Sequence, residues 1–210
     1  MSYKSNRELI DSMITSSVLK RPRIIEAFEK IDRKYFVPEE FSEHIYIDRP
    51  LPIGKNQTIS QPSTVAFMLE LLSPEEGDSV LDIGSGSGWT TSLLCSIVGE
   101  GGSVLGLERV DDLVEQGANN IEKFDFRQCR IRKADAKLGV PGETFDRILV
   151  SAGAEEIPEE LFAQLKVGGV LVIPVRNSIY RFEKLSDSQV RTEEYHGFVF
   201  VPLIYEKQEI

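Results

Sequence analysis

Histidine and cysteine are scarce in this chain, with two of each among 210 residues. Neither Cys95 nor Cys129 has a metal-ligand spacing around it, and both are expected to be buried, inert thiols, one in a helix and one in a strand. His44 and His196 lack a partner motif, so no histidine chemistry follows from the sequence and no metal is expected. Long apolar runs are also missing: none approaches the roughly 18–20 residues of a membrane helix. The first eight residues have no hydrophobic stretch of the signal-peptide type. These absences lead to the expectation of a cytoplasmic protein with no membrane partner. Positive charge is in deficit. The formal net charge is −10, and the imbalance is local: residues 1–50 carry nine basic and nine acidic side chains, the remaining 160 carry 15 and 25. An acidic surface repels a polyphosphate, so nucleic acid is not an expected partner.

What is present is an ordinary globular composition, 41% hydrophobic and 28% charged, in a chain long enough to bury a core without disulfides. Apolar positions Leu9, Ile10, Met13, Ile14 and Val18 have helical spacing over residues 5–19, and Pro22 opens a second helix carrying Ile24, Ile25, Phe28 and Ile31. Residues 32–62 read as irregular, punctuated by prolines 38, 50, 52 and 62. A stretch of that length without regular structure is uncommon unless it is functional, which marks it for substrate contacts. From residue 63 the pattern alternates. Helices are expected over residues 65–72, 89–98, 111–123 and 158–166, and strands over 79–83, 103–107, 128–133, 145–151 and 170–175. Such alternation predicts an α/β fold, a doubly wound and mostly parallel sheet with an N-terminal helical extension. The division expected is an extension and substrate-side loop over residues 1–62 and a main domain over 63–210. Residues 179–185 and 189–195 flank Ser186-Asp187-Ser188 as a hairpin, and 197–203 reads as a further strand, so antiparallel strands are expected at the end.

The local signal with the most chemistry is Val80-Leu81-Asp82-Ile83-Gly84-Ser85-Gly86-Ser87-Gly88-Trp89, which follows a strand and opens a helix. A dinucleotide loop would place glycine at position 89, where Trp89 stands. The spacing Gly84, Gly86, Gly88 is instead similar to that of S-adenosylmethionine-dependent methyltransferases. Glu108 follows at the end of the next strand, where an acid can accept from ribose hydroxyls. Asp135, at the end of the third strand, is placed to accept from an adenine amino group. Three strand ends then converge on one crevice outside the carboxyl edge of the sheet.

The segment before the loop narrows the reading. Asp48-Arg49-Pro50-Leu51-Pro52-Ile53-Gly54, then Gln57-Thr58-Ile59-Ser60-Gln61-Pro62, closely resembles the signature of protein-L-isoaspartate O-methyltransferases. Tyr35-Phe36-Val37-Pro38, Ile157-Pro158, Gln164-Leu165-Lys166 with Gly168-Gly169, and Phe200-Val201-Pro202-Leu203 follow in that family's order. The resemblance implies transfer of a methyl group from S-adenosylmethionine, leaving S-adenosylhomocysteine. The acceptor would be the free carboxylate of an L-isoaspartyl residue, and by extension a D-aspartyl one, in damaged proteins and peptides. The ester would then collapse to a succinimide, beginning repair. It also implies Ser60 as the catalytic residue. Thr58, Ile59 and Gln61 would line the cofactor or substrate cleft, and Gly84, Ser85, Gly86 and Gly88 would form the cofactor loop. Glu108 and Arg109 would stand at the ribose, and Asp135 with Ala136 at the adenine. A monomeric state is the working expectation.

Asn56 stands where many members have glycine, and Ala134 and Ala136 flank Asp135 where glycines are usual. Two rival readings share the motifs: a methyltransferase of the same build acting on another peptide carboxylate, and a cofactor-binding module without transfer. A sulfonium methyl is already electrophilic and a carboxylate already an anion at neutral pH, so scarcity of histidine and cysteine does not count against the enzyme. What remains is alignment of acceptor and methyl group.

Overall fold

A computed structural model of the chain describes residues 3–205. Helix α1 (Asn6–Thr15) starts at Ser5, whose hydroxyl accepts from the Glu8 amide at 3.2 Å. The Glu8 carboxylate reaches back to the Lys4 amide at 2.9 Å, so the cap is closed from both sides. Helix α2 (Pro22–Lys30) begins on proline, whose missing N–H costs nothing in the first turn. Both helices bury their apolar stripes, Leu9, Ile10 and Met13 on α1 and Ile24, Ala27 and Phe28 on α2. These side chains join one core cluster that continues through Leu72, Trp89 and Leu94 to Ile179. The N-terminal extension therefore packs into the same core as the sheet.

Residues 32–62 contain more order than their irregular sequence pattern suggests. Two 3₁₀ turns, Arg33–Tyr35 and Glu39–His44, precede an antiparallel hairpin of β1 (Leu51–Gly54) and β2 (Gln57–Ile59). Lys55 and Asn56 at its tip both have positive φ, +52° and +57°, the conformation a tight two-residue hairpin turn demands. The strands leave no period-2 signal because they are only four and three residues long and the first is interrupted by proline.

Beyond the hairpin the expected alternation holds: α3 (Pro62–Leu72), β3 (Ser79–Ile83), α4 (Trp89–Val98), β4 (Ser103–Glu108), α5 (Asp111–Glu122), β5 (Cys129–Lys133), β6 (Phe145–Val150) and β7 (Leu165–Val175). The tail adds β8 (Ser178–Ser186) and β9 (Gln189–His196). The seven-stranded sheet runs β5-β4-β3-β6-β7-β8-β9. The pairs from β5 through β7 are parallel, and β7–β8 and β8–β9 antiparallel. From β3 the chain builds outward through β4 and β5, then returns to lay β6 on the other side. The switch point thus falls at the carboxyl end of β3, where open α/β sheets bind ligands.

Three further expectations are corrected. Residues 158–166 form a 3₁₀ helix, Glu159–Gln164, not an α-helix, and Leu165 and Lys166 already belong to β7. Buried Gln164 explains it: its amide accepts from the Val140 N–H at 2.6 Å and donates to the Leu138 carbonyl at 3.0 Å, drawing the segment inward. Residues 197–203 do not make a sheet strand. They run extended beside Gly153, whose N–H donates to the Val201 carbonyl at 2.7 Å and whose carbonyl accepts from the Leu203 N–H at 2.8 Å. Cys95 and Cys129 are not separate thiols but a disulfide with Cα atoms 6.1 Å apart, tying α4 to the start of β5. Their separation of 34 residues hides the pairing, which the β4–α5 crossover creates.

Gly88 starts α4 at φ +86°, and a Cβ there would stand 2.9 Å from the Gly117 carbonyl oxygen on α5. Gly88→Ala is therefore expected to lose about 2–3 kcal/mol of stability, from backbone strain and a clash with main chain. Denaturant unfolding checks this, and an unchanged midpoint would contradict the packing described.

Candidate functional site

At the carboxyl ends of β3, β4 and β6 lies a cleft of about 360 Å³, within the range of small-molecule and cofactor sites. Its walls include Thr58, Ile59 and Ser60 from the hairpin side, Gly84, Ser85 and Gly86 from the glycine bend, and Glu108 with Arg109 at the end of β4. Asp135 and Ala136 after β5 and residues 201–205 complete the rim. Ten of the twelve residues singled out from sequence thus share one cavity. Gln61 and Gly88 are not on its wall. Gln61 donates to Asp48 at 3.2 Å and to the Ser63 hydroxyl at 2.9 Å, fixing the turn from behind. Gly88 sits one layer deeper, against Gly117.

The glycine bend is held by β4. The N–H groups of Gly84 and Ser85 both donate to the Leu107 carbonyl, at 2.8 and 3.1 Å. Gly86 has φ +53°, and a Cβ there would press on the Ile53 methyl at 3.2 Å, so the hairpin closes directly over the bend. Glu108 is nearly buried and accepts three main-chain N–H groups, from Gly86 at 3.0 Å and from Arg109 and Val110 at 2.8 and 3.0 Å. Oε1 takes two of these and Oε2 one, which leaves Oε2 with acceptor capacity on the cleft wall. Asp135 is exposed, and its Oδ2 meets Arg132 at 3.1 Å.

The Ser60 turn is positioned by a residue that no sequence motif marks. Arg33 is fully buried. Its guanidinium donates to the carbonyls of Ile45 (2.7 Å), Ile47 (3.2 Å), Arg49 (3.1 Å), Ile59 (3.5 Å) and Ser60 (3.1 Å). The same group lies 5.4 Å from the centre of the Trp89 ring, at the start of α4. Burial lowers its pKa to about 10, opposed by the nearby Asp48 carboxylate, so it stays charged near neutrality. Asp48 also accepts the Ser63 N–H at 2.9 Å. One cation thereby ties residues 45–49, residues 59–60 and the helix after the glycine bend together. A lone Arg between Asp32 and Lys34 reads as surface charge, and only its neighbourhood in space reveals it.

Asp82 is the second such group. It is fully buried beneath the bend and accepts Thr91 Oγ1 at 2.6 Å and Ser151 Oγ at 3.2 Å. Burial raises its pKa to about 6; the two hydroxyls oppose that rise and the Glu108 charge adds to it.

The sheet order, the glycine bend at its switch point and the acid at the end of the next strand define the fold of S-adenosylmethionine-dependent methyltransferases. The residues present suit that cofactor: a bend of glycines and small serines against the cleft, and an anchored carboxylate with a lone pair to offer. Residues 4–208 match the family model described as protein-L-isoaspartate(D-aspartate) O-methyltransferase. A protein-L-isoaspartate O-methyltransferase of Methanopyrus kandleri is 39% identical over 97% of this chain and 93% of its own. One from Flavobacterium psychrophilum is 40% identical over 98% and 97%. Among solved structures, a Plasmodium falciparum chain described as a putative protein-L-isoaspartate O-methyltransferase, in complex with S-adenosyl-L-homocysteine, aligns with a TM-score of 0.86. It is 25% identical, covering 97% of this chain and all of that one. This chain belongs to the protein-L-isoaspartate (D-aspartate) O-methyltransferase family.

Because Asp82 has a higher pKa folded than unfolded, its contribution to stability is full below the unfolded value and is lost as pH rises through about 6. Asp82→Asn removes that loss. The stability of the variant relative to wild type is expected to climb between about pH 4 and about pH 8, by at most about 3 kcal/mol. Urea unfolding at several pH values measures it, and parallel curves would contradict the burial argument.

Proposed function

We propose that this chain transfers the methyl group of S-adenosylmethionine to the free carboxylate of L-isoaspartyl residues in damaged proteins and peptides, the first step of their repair. The observation that carries this reading is that Ser60 and the Gly84–Gly86 bend line the same cleft. The bound cofactor supplies an electrophilic sulfonium methyl; the chain's own residues supply placement. Glu108, held rigid by three amides, accepts from the ribose hydroxyls, with Arg109 alongside. Asp135 and Ala136 receive the adenine end. Thr58 and Ile59 form the side of the cleft nearest the acceptor.

Ser60 donates its hydroxyl proton to one oxygen of the acceptor carboxylate, which leaves the other oxygen directed at the methyl group. The acceptor is already ionised at neutral pH, so no residue has to remove a proton. The gain is orientational, of the kind that raises rate by holding reactants near the reactive geometry. Ile53, Ile59, Ile83 and Leu107 give the cleft apolar walls, which strengthens a charge-assisted hydrogen bond made within it. Residues 1–62 act in this reading as the substrate-side half and residues 63–210 as the cofactor half, in a monomeric, cytoplasmic enzyme. Among the described residues no helix is long and apolar enough to cross a membrane.

Isoaspartyl and aspartyl versions of one peptide, offered with methyl-labelled cofactor, test the reaction. Label is expected in the isoaspartyl peptide alone; label in the aspartyl version, or in neither, would overturn the proposal. Ser60→Ala is expected to lower kcat by about 10- to 100-fold, the size of one lost charge-assisted hydrogen bond. Calorimetric affinity for S-adenosylhomocysteine should stay the same. Lost cofactor affinity with normal turnover would rule out Ser60 as the group that orients the acceptor.

A further inference from the structure

Beside Ser60 and adjoining the cleft is a second, smaller space of about 10 Å³. Its walls are Val65, Met68, Leu149 and Phe200, with three hydroxyl-bearing residues, Ser60, Thr90 and Ser151. Those same three also line the large cleft, so they form the partition between the two. The volume is that of about one water molecule, which a cavity retains when two to four polar partners surround it. The partition offers three.

A count of protons decides what such a water does. A serine hydroxyl has one proton to donate and can accept twice. Ser151 gives its proton to Asp82 at 3.2 Å, and Asp82 is also held by Thr91 at 2.6 Å, so the Ser151 oxygen is left as an acceptor. Ser60 must keep its own proton for the acceptor carboxylate. A donor other than Ser60 that satisfies the Ser151 oxygen leaves the Ser60 proton for the cleft.

We propose that this cavity holds one water that donates to both Ser151 and Ser60 and accepts from Thr90, so that Ser151 and Thr90 are positioning residues for methyl transfer. The water satisfies the Ser151 and Ser60 oxygens at once, and the open direction for the Ser60 proton is then the substrate. Asp82 sets the direction of this chain from its buried end. The inference rests on the proposed role of Ser60, and its measurements are chosen to fail separately from it.

Ser151→Ala and Thr90→Val each remove one partner of the water without adding volume that the cleft cannot hold. Each is expected to lower kcat about fivefold to tenfold. Affinity for an isoaspartyl peptide, measured by calorimetry on the complex with S-adenosylhomocysteine, should fall as well, while affinity for S-adenosylhomocysteine itself is unchanged. The conservative variants Ser151→Thr and Thr90→Ser should restore most of the loss, which a packing role would not produce. Val65→Ile fills the cavity and leaves all three hydroxyls in place, and it should give the same loss of kcat. Wild-type activity in Ser151→Ala, or full activity in Val65→Ile, would overturn the proposal. A high-resolution crystal structure reads the point without any turnover: density bonded to Ser60 and Ser151 supports it, and a cavity closed by side chains contradicts it. Wild-type protein that methylates no isoaspartyl peptide would instead count against the proposed function.

Discussion

One buried cation organises the hairpin side of the cleft. The Arg33 guanidinium is removed from water and compensated by five main-chain carbonyls and an aromatic face rather than by a carboxylate in direct contact. Stripping water from a charge costs several kcal/mol even after relaxation, so those five carbonyls must stay where they are for the fold to persist. They belong to two stretches, residues 45–49 and 59–60, which the guanidinium holds together. The planar fork of arginine can reach several acceptors at once, which a lysine ammonium on a flexible stem cannot reproduce. The consequence is that the Ser60 turn has a fixed position relative to Trp89 and therefore to the glycine bend just before it.

The sheet side of the cleft is made rigid by different means. There the parallel sheet positions three strand ends, the Leu107 carbonyl holds the bend, and Glu108 is locked by the amides around it. Close approaches, Gly88 to the Gly117 main chain and Gly86 to the Ile53 side chain, bring helix α5 and the hairpin against the bend. Two halves, joined by the Ile53–Gly86 and Arg33–Trp89 contacts, then meet across one cleft. Methyl transfer to a carboxylate needs no shifted base, so its demands fall on distance and direction, and these supports supply both.

Much of this is legible in the sequence, and the exceptions have physical causes. Strands such as Ser79–Ile83 and Ser103–Glu108 are largely apolar runs between turn residues, and the helices between them have full-length apolar stripes; burial on both faces leaves a plain pattern. Ser60, Glu108 and Asp135 are legible because each stands at a motif or a strand end that the topology brings to one edge. Gln61 and Gly88 read as cleft residues, yet they support it from behind, since a motif marks neighbours in sequence without saying which way each side chain turns. The hairpin at 51–59, with its first strand interrupted by Pro52, is too short for a period-2 signal. The segments 159–164 and 197–203 are shaped by single tertiary contacts, Gln164 to the 138–140 loop and Gly153 to Val201, that no local periodicity encodes. Arg33, Asp82 and the Cys95–Cys129 bond are likewise defined by distant partners.

If Arg33 fixes the Ser60 turn, loosening its grip must free that turn and spare the sheet. Amide hydrogen exchange of an Arg33→Lys variant against wild type addresses this most directly. Faster exchange is predicted in residues 45–49 and 57–61 together, with the sheet core over residues 79–83 and 145–150 at wild-type rates. Unchanged exchange in both of those segments, or uniform acceleration across the whole chain, would contradict it.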